Sequence, residues 1–190
     1  MKAPRAVLFV IVSCAAVPAQ PADSAGATNG SSVQATPSGS APRAPGAVAT
    51  EDRELLLALV QGNLAEVEAG QLAGRKSPSK AIRSFARTMV DDHSATLKEL
   101  RALAARLGVA APDETDEAHR AQLAALSRAS GREFDLQYVR NAGVADHDRT
   151  LALLERGASS GNPEIRDFSR KTLRTVTLHA QWARRLSAKQ

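Results

Sequence analysis

The residues of this chain best suited to chemistry are three histidines, His93, His147 and His179, with Glu66 as an acidic companion. Each histidine falls on an apolar line of helical spacing. His93 sits among Phe85, Met89, Val90, Leu97 and Leu100; His147 among Val144, Leu151 and Leu154; His179 among Val176, Ala183 and Leu186. Neutral imidazoles and a carboxylate converging in an apolar shell are good ligands for zinc, iron or copper. Buried without a metal, the same groups need hydrogen-bond partners. Two readings therefore stand side by side. One is a metal centre with Glu66, His93, His147 and His179 as ligands and Asp92 and Asp146 in support. The other is a hydrogen-bonded polar layer that only fixes helix register. A single histidine on an apolar face is ordinarily the second; three on three helices at one height raise the first.

The same positions argue against di-iron chemistry. Carboxylate-bridged iron sites use Glu-x-x-His on two helices and a further Glu from each of the other two. Here Val90, Val144 and Val176 stand three residues before the histidines, and carboxylates are too few for two irons. No Gly-rich phosphate loop occurs. Ser94 and Ser130 lack the local signature of a nucleophile. Tyr138 and Trp182 read as packing residues, Asp91 as solvated, and His119 as exposed on a connecting segment. An enzyme is the reading with the least support.

The elements that position these residues are helices. Aromatics make up only 3% of the chain, so the core is built from Leu, Ala, Val and Ile, which disfavours strands. A first helix spans about residues 51–74, with Leu56, Leu59, Val60, Leu64 and Val67 on its stripe. Ser77-Pro78 reads as a cap with proline at the first helical position, and a second helix runs from there until Gly108 stops it. A short helix follows over about 116–128, with Leu123 and Leu126 on one side. A third long helix spans about 132–159, ended by Gly161. Asn162-Pro163 repeats the cap, and the fourth helix carries Ile165, Phe168, Val176, Ala183 and Leu186. Short connections make two antiparallel hairpins, and the long central connection crosses between them. The expected fold is all-α, a ferritin-like four-helix bundle with a short extra helix in the crossover; an up-down-up-down bundle is the alternative. Asp92-His93-Ser94-Ala95-Thr96-Leu97 matches Asp146-His147-Asp148-Arg149-Thr150-Leu151 at an offset of 54. Ile82-Arg83-Ser84-Phe85 resembles Ile165-Arg166-Asp167-Phe168. Glu66 and the three histidines all lie near the middle of their helices. At about 1.5 Å rise per residue, they come within reach of one another.

The N-terminal 50 residues differ in kind. A basic start (Lys2, Arg5), the apolar run Ala6–Val12 and small residues after it have the layout of a secretory leader over residues 1–19. The apolar run is shorter than the roughly 20 residues needed to span a bilayer. Val17-Pro18-Ala19 before Gln20 suits ordinary cleavage. Ile11-Val12-Ser13-Cys14 resembles a lipoprotein box, with Cys14 as the lipidated residue. Cys14 is the only cysteine, which excludes an intrachain disulfide. Residues 20–50, rich in Ala, Ser, Gly, Pro and Thr, read as a disordered linker, leaving 51–190 as the bundle domain. These features predict an exported protein, periplasmic or outer-membrane-associated, that meets the membrane only through a lipid at Cys14. The net charge of +5 is interleaved in sign along the helices. Apart from Arg184, Arg185 and Lys189 at the C-terminal end, no basic stripe forms, so nucleic acid is not an expected partner. No feature names a protein partner.

Three segments together resemble a known family. They are Glu66-Val67-Glu68-Ala69-Gly70-Gln71-Leu72-Ala73, Phe85-Ala86-Arg87-Thr88-Met89-Val90-Asp91-Asp92-His93, and Ser130-Gly131-Arg132-Glu133-Phe134-Asp135-Leu136-Gln137-Tyr138-Val139 with the later Asp146-His147. In this order they are similar to the bacterial domain of unknown function 4142, a ferritin-like group often labelled outer-membrane proteins. The resemblance covers about residues 51–187. It implies the fold and export but no activity. The family usually carries Leu-Pro a turn and a half before the last histidine, where this chain has Leu173-Arg174. That departure predicts a straighter fourth helix and bears on the inward aim of His179.

Overall fold

The computed structural model describes residues 48–190. The leader, Cys14 and the linker up to residue 47 lie outside the described residues.

The first helix, α1 (Thr50–Lys76), carries Glu51 and Asp52 in its first turn and Arg75 and Lys76 in its last, matching the helix dipole at both ends. Its buried line runs through Leu55, Leu56, Leu59 and Val60 to Asn63, Glu66, Ala69, Gly70 and Ala73. Leu64 and Val67, expected on the stripe, are only half-buried at its edges. The second helix, α2 (Lys80–Arg106), begins two residues later than the Ser77-Pro78 signal suggested. Pro78 holds Ser77 extended. The Ser77 hydroxyl instead accepts from the Ser79 N–H at 3.1 Å, and Ser79 caps the helix by accepting from Ile82. Gly108, with φ +67°, turns the chain out of α2. The crossover carries α3 (Glu117–Arg128), capped by Asp116, which accepts from the His119 N–H at 2.9 Å.

The third long helix is not continuous. It is α-helical over α4 (Gly131–Tyr138), π-helical over Val139–Asp146, and α-helical again over α5 (His147–Gly157). Asn141, Gly143 and two valines in the middle segment are poor helix formers, which lowers the cost of leaving α geometry. Gly143 also lets the π segment press on the last helix, where an added Cβ would lie 3.1 Å from Ala183 Cβ. That last helix, α6 (Pro163–Ser187), starts as the Asn162-Pro163 signal predicts, with Asn162 Oδ1 accepting from Glu164 and Ile165. It runs unbroken through Leu173-Arg174.

Two apolar clusters fix the chain directions. One joins Ala73, Ile82, Phe134 and Leu186; the other joins Leu56, Leu100, Leu154 and Ile165. So α1 and α6 run from the second cluster to the first, while α2 and α4–α5 run the opposite way. The second and third long helices are therefore parallel, and the crossover returns along the full bundle. This is the ferritin-like arrangement, with the short extra helix in the crossover, rather than up-down-up-down.

Close helix approach in the first hairpin depends on Gly70. A Cβ there would lie 2.8 Å from Val90 Cγ2 and 3.0 Å from the Ala86 carbonyl oxygen. Gly74, one turn on, has nothing within 4 Å. Urea unfolding should therefore separate the two. Gly70→Ala is expected to lose about 1–3 kcal/mol through overpacking, and Gly74→Ala to gain up to about 1 kcal/mol from helix propensity. Equal effects would contradict this packing account.

Candidate metal centre

The three histidines meet at one level, between the two apolar clusters. Ring centroids are 5.4 Å apart for His93–His147, 5.5 Å for His93–His179 and 5.6 Å for His147–His179. All three are buried. One ligand nitrogen from each lies within 4.8 Å of the others. A metal with bonds of about 2.0 Å holds three trigonal nitrogens about 3.5 Å apart, so small side-chain shifts complete a site.

Hydrogen bonds set the tautomer of each ring. Asn63 Nδ2 donates to the Leu59 carbonyl at 2.7 Å, which can only accept, so Asn63 Oδ1 is the atom facing His93. His93 Nδ1 therefore donates to it at 2.9 Å, and the lone pair lies on Nε2. His147 Nδ1 donates to the Ala142 carbonyl at 3.0 Å, again leaving the lone pair on Nε2. His179 Nε2 donates to Asp92 Oδ2 at 2.8 Å and keeps its lone pair on Nδ1. His93 Nε2, His147 Nε2 and His179 Nδ1 have no hydrogen-bond partner. Each ring thus has one nitrogen tied and one bare, the pattern that outer hydrogen bonds impose on metal-ligating histidines.

The electrostatics keep the rings neutral. Burial pushes all three below the ordinary histidine value. His93 falls well below it, with His147 and His179 adding to the effect; His147 falls to about 4. His179 is lowered by burial against the opposing pull of Asp92. Glu66 is pushed up to about 8 by burial and is a neutral acid at neutral pH. The Tyr138 phenol is raised well above its usual range by burial and then by Glu66.

Among the predicted site residues, the structure brings His93, His147 and His179 together and sets Asp92 behind His179. Glu66 does not join the ligand group. Its Oε1 lies 3.5 Å from His147 Nδ1, the tied edge of that ring, and neither oxygen has a hydrogen-bond partner. Level along the bundle placed it correctly; which edge of His147 it would meet depends on ring orientation, which spacing does not encode. Asp146 is turned away. It accepts from Gln122 of α3 at 2.9 Å and pairs with Arg149, because the π turn rotates it toward the crossover. His119 is half-buried and tied to Asp116 at 2.8 Å. Tyr138 is fully buried and Trp182 packs against the first cluster.

Sequence reasoning missed Asn63 and the Ala142 carbonyl. Asn63 was findable, because it continues the Leu56, Leu59, Val60 line with helical spacing toward Glu66. A buried asparagine on that line signals a hydrogen-bonded partner.

Fold and site together define a ferritin-like four-helix bundle with three buried imidazoles at its centre. The chain belongs to the family described as domain of unknown function (DUF4142), whose model matches residues 37–186. No curated protein matches the chain. Among solved structures it is similar to a DUF305 fragment from Deinococcus radiodurans, with TM-score 0.67 and 14% identity over 76% of this chain and 99% of that one. It is also similar to CopM in its Cu(I)-bound form, with TM-score 0.61 and 15% identity over 73% of this chain and 96% of that one. The Cu(II)-bound form of CopM aligns with the same TM-score and coverage at 14% identity. At such identities the likeness is one of fold.

Opposed pH dependences follow from the buried groups. Below the unfolded histidine value of 6.5 the unfolded chain takes up protons that the folded rings refuse, so stability is lost as pH falls from 6.5 toward about 4. Glu66 acts the other way: its contribution is present below 4.5 and is lost as pH rises to about 8. For the metal-free protein, the melting temperature of Glu66→Gln relative to wild type should therefore climb between pH 5 and about pH 8 and level off above it. A difference that stays constant with pH would contradict the burial of an acid at this position.

Proposed function

We propose that this protein binds a single transition-metal ion, copper foremost, at His93, His147 and His179, and that it does so in the cell envelope without catalysing a reaction. The observation that carries this reading is a set of three buried histidines that offer ring nitrogens within 4.8 Å of one another, each with one ring nitrogen bare. No protein group pairs with these three nitrogens, and an unsatisfied buried polar group costs about 1–3 kcal/mol. A metal uses all three at once. The donor set is neutral and purely nitrogen, because Glu66 is protonated and lies behind His147. Imidazole suits copper, zinc and iron, and copper binds most tightly in the divalent series. Three nitrogens meet the preference of monovalent copper for low coordination number; zinc would take a water as its fourth ligand. The likeness to CopM, solved with Cu(I) and with Cu(II), supports copper over the other two.

Export rests on the N-terminal layout: a basic start, an apolar run, and Cys14 or Gln20 as the mature first residue. Among the described residues no helix is long and apolar enough to cross a membrane. In this reading residues 20–50 tether the bundle to a lipid at Cys14 or trail from a cleaved N-terminus, and the bundle offers its site to envelope copper.

Copper titration of the mature protein should give one tightly held ion per chain. Removing a ligand with His147→Ala should weaken binding by more than ~100-fold, beyond the 10- to 100-fold loss that removal of an outer partner with Asn63→Ala should cause. The alternative, a non-catalytic structural module, predicts no tight copper and no effect of these changes on metal uptake. On that alternative, His93→Leu with His147→Leu keeps the fold and moves any phenotype to the surface.

A further inference from the structure

The four long helices leave four seams, and they are not alike. In the α1–α2 and α5–α6 hairpins the helices pack along their lengths. The α1–α5 seam is roofed by α3, which is tied on one side by Gln61, accepting from the Asp116 N–H at 2.7 Å, and on the other by Gln122 donating to Asp146 at 2.9 Å. Among the described residues, no element covers the α2–α6 seam. It is held toward one end by Arg106–Glu164 at 2.7 Å and Lys171–Glu99 at 2.9 Å.

That uncovered seam leads inward. Beside the Lys171–Glu99 pair, a groove of about 190 Å³ opens on the surface, with Asp92, Thr96, Thr172 and Thr175 in its wall. The same four residues also line an inner cavity of about 10 Å³ whose other walls include His93, His179 and Asn63. A cavity of that size holds about one water molecule. His93 and His179, on its wall, carry two of the three bare nitrogens. Away from that groove, His147 is backed by Phe85, with ring centroids 6.4 Å apart, and by buried Glu66. A second groove of about 200 Å³ lies on the α1–α5 seam, but it shares only Thr150 with the lining of the inner cavity. Asp92 bridges the two spaces. One carboxylate oxygen holds His179 Nε2 at 2.8 Å while 43% of the side chain is exposed.

We infer that the metal is loaded and released through the α2–α6 seam, and that Asp92 is its transfer ligand, taking a cation from the groove and passing it to His179 and His93. This rests on the metal-binding reading above. The anionic carboxylate at the groove draws cations in, the threonine hydroxyls offer oxygen contacts on the way, and the one-water cavity is the space through which the hydrated ion sheds its last water. Asp92 is a positioning and transfer residue here; the three histidines remain the final ligands.

The test uses Cu(II) in weakly chelating buffer and the fluorescence of the single tryptophan, Trp182, whose ring lies 5.2 Å from Phe85 beside the cluster. In rapid mixing with the full mature chain, Asp92→Asn should slow quenching by at least about 10-fold, the scale on which a charged cleft raises association rates. Asparagine still offers an oxygen to His179 Nε2, so the ring keeps its tautomer. Release into excess chelator should slow with it, leaving affinity less changed than either rate. Thr175→Leu, which narrows the groove without touching charge, should slow both rates as well. Gln122→Leu, under the roofed seam, should leave them as in wild type. Copper binding with unchanged rates in Asp92→Asn and Thr175→Leu would overturn the route while leaving the site intact. A wild-type chain that takes up no copper would remove the site and the route together.

Discussion

Three imidazoles share one cross-section of a bundle that is otherwise apolar, and each can be neutral and buried only if one of its nitrogens is tied to an acceptor. Much of the architecture near the middle serves that constraint. Asn63 on α1, the Ala142 carbonyl of the π segment and Asp92 on α2 each hold one ring nitrogen. Asn63 is itself fixed by the Leu59 carbonyl. The other nitrogen of each ring is left bare in surroundings where an unpaired polar atom is costly. Large apolar clusters lie above and below the layer.

The π-helical turn belongs to the same constraint. An extended run of α-helix through Val139–Asp146 would place residues differently around the axis, and it is from within this wider turn that the Ala142 carbonyl reaches the His147 ring five residues on. Such turns are frequent at functional sites. The turn also rotates Asp146 away from the bundle centre and onto the crossover, where it helps seat α3. One local departure from α geometry thus orients a histidine inward and sends its neighbouring carboxylate outward to α3.

Much of this was legible in the sequence because helical periodicity, caps and apolar stripes are local signals. The Asn162-Pro163 cap, the Gly108 stop and the short helix after Asp116 follow from residue type alone. So does the common height of the histidines, since each sits near mid-helix on its stripe. The π turn was not legible: Gly143 and the poor helix formers around it are compatible with an ordinary helix, and only packing against Ala183 shows what the glycine allows. Glu66 lies at the expected level but meets His147 at the ring edge tied to the Ala142 carbonyl. Helical spacing fixes which face a residue occupies, whereas the edge of an imidazole it meets depends on the ring torsion of another helix's side chain. Asn63 is the polar residue that continues an apolar stripe, so hydrophobic periodicity does not single it out.

The three rings are held neutral, with the free nitrogen of each fixed by the bond its other nitrogen makes. Long-range ¹H–¹⁵N correlation spectra of the metal-free protein at neutral pH read this directly. The account predicts protonated Nδ1 on His93 and His147, protonated Nε2 on His179, and a lone-pair nitrogen on the other position of each ring, with those three lone-pair signals shifting or broadening together when copper is added. Imidazolium rings, the opposite tautomers, or three lone-pair signals unmoved by copper would contradict it.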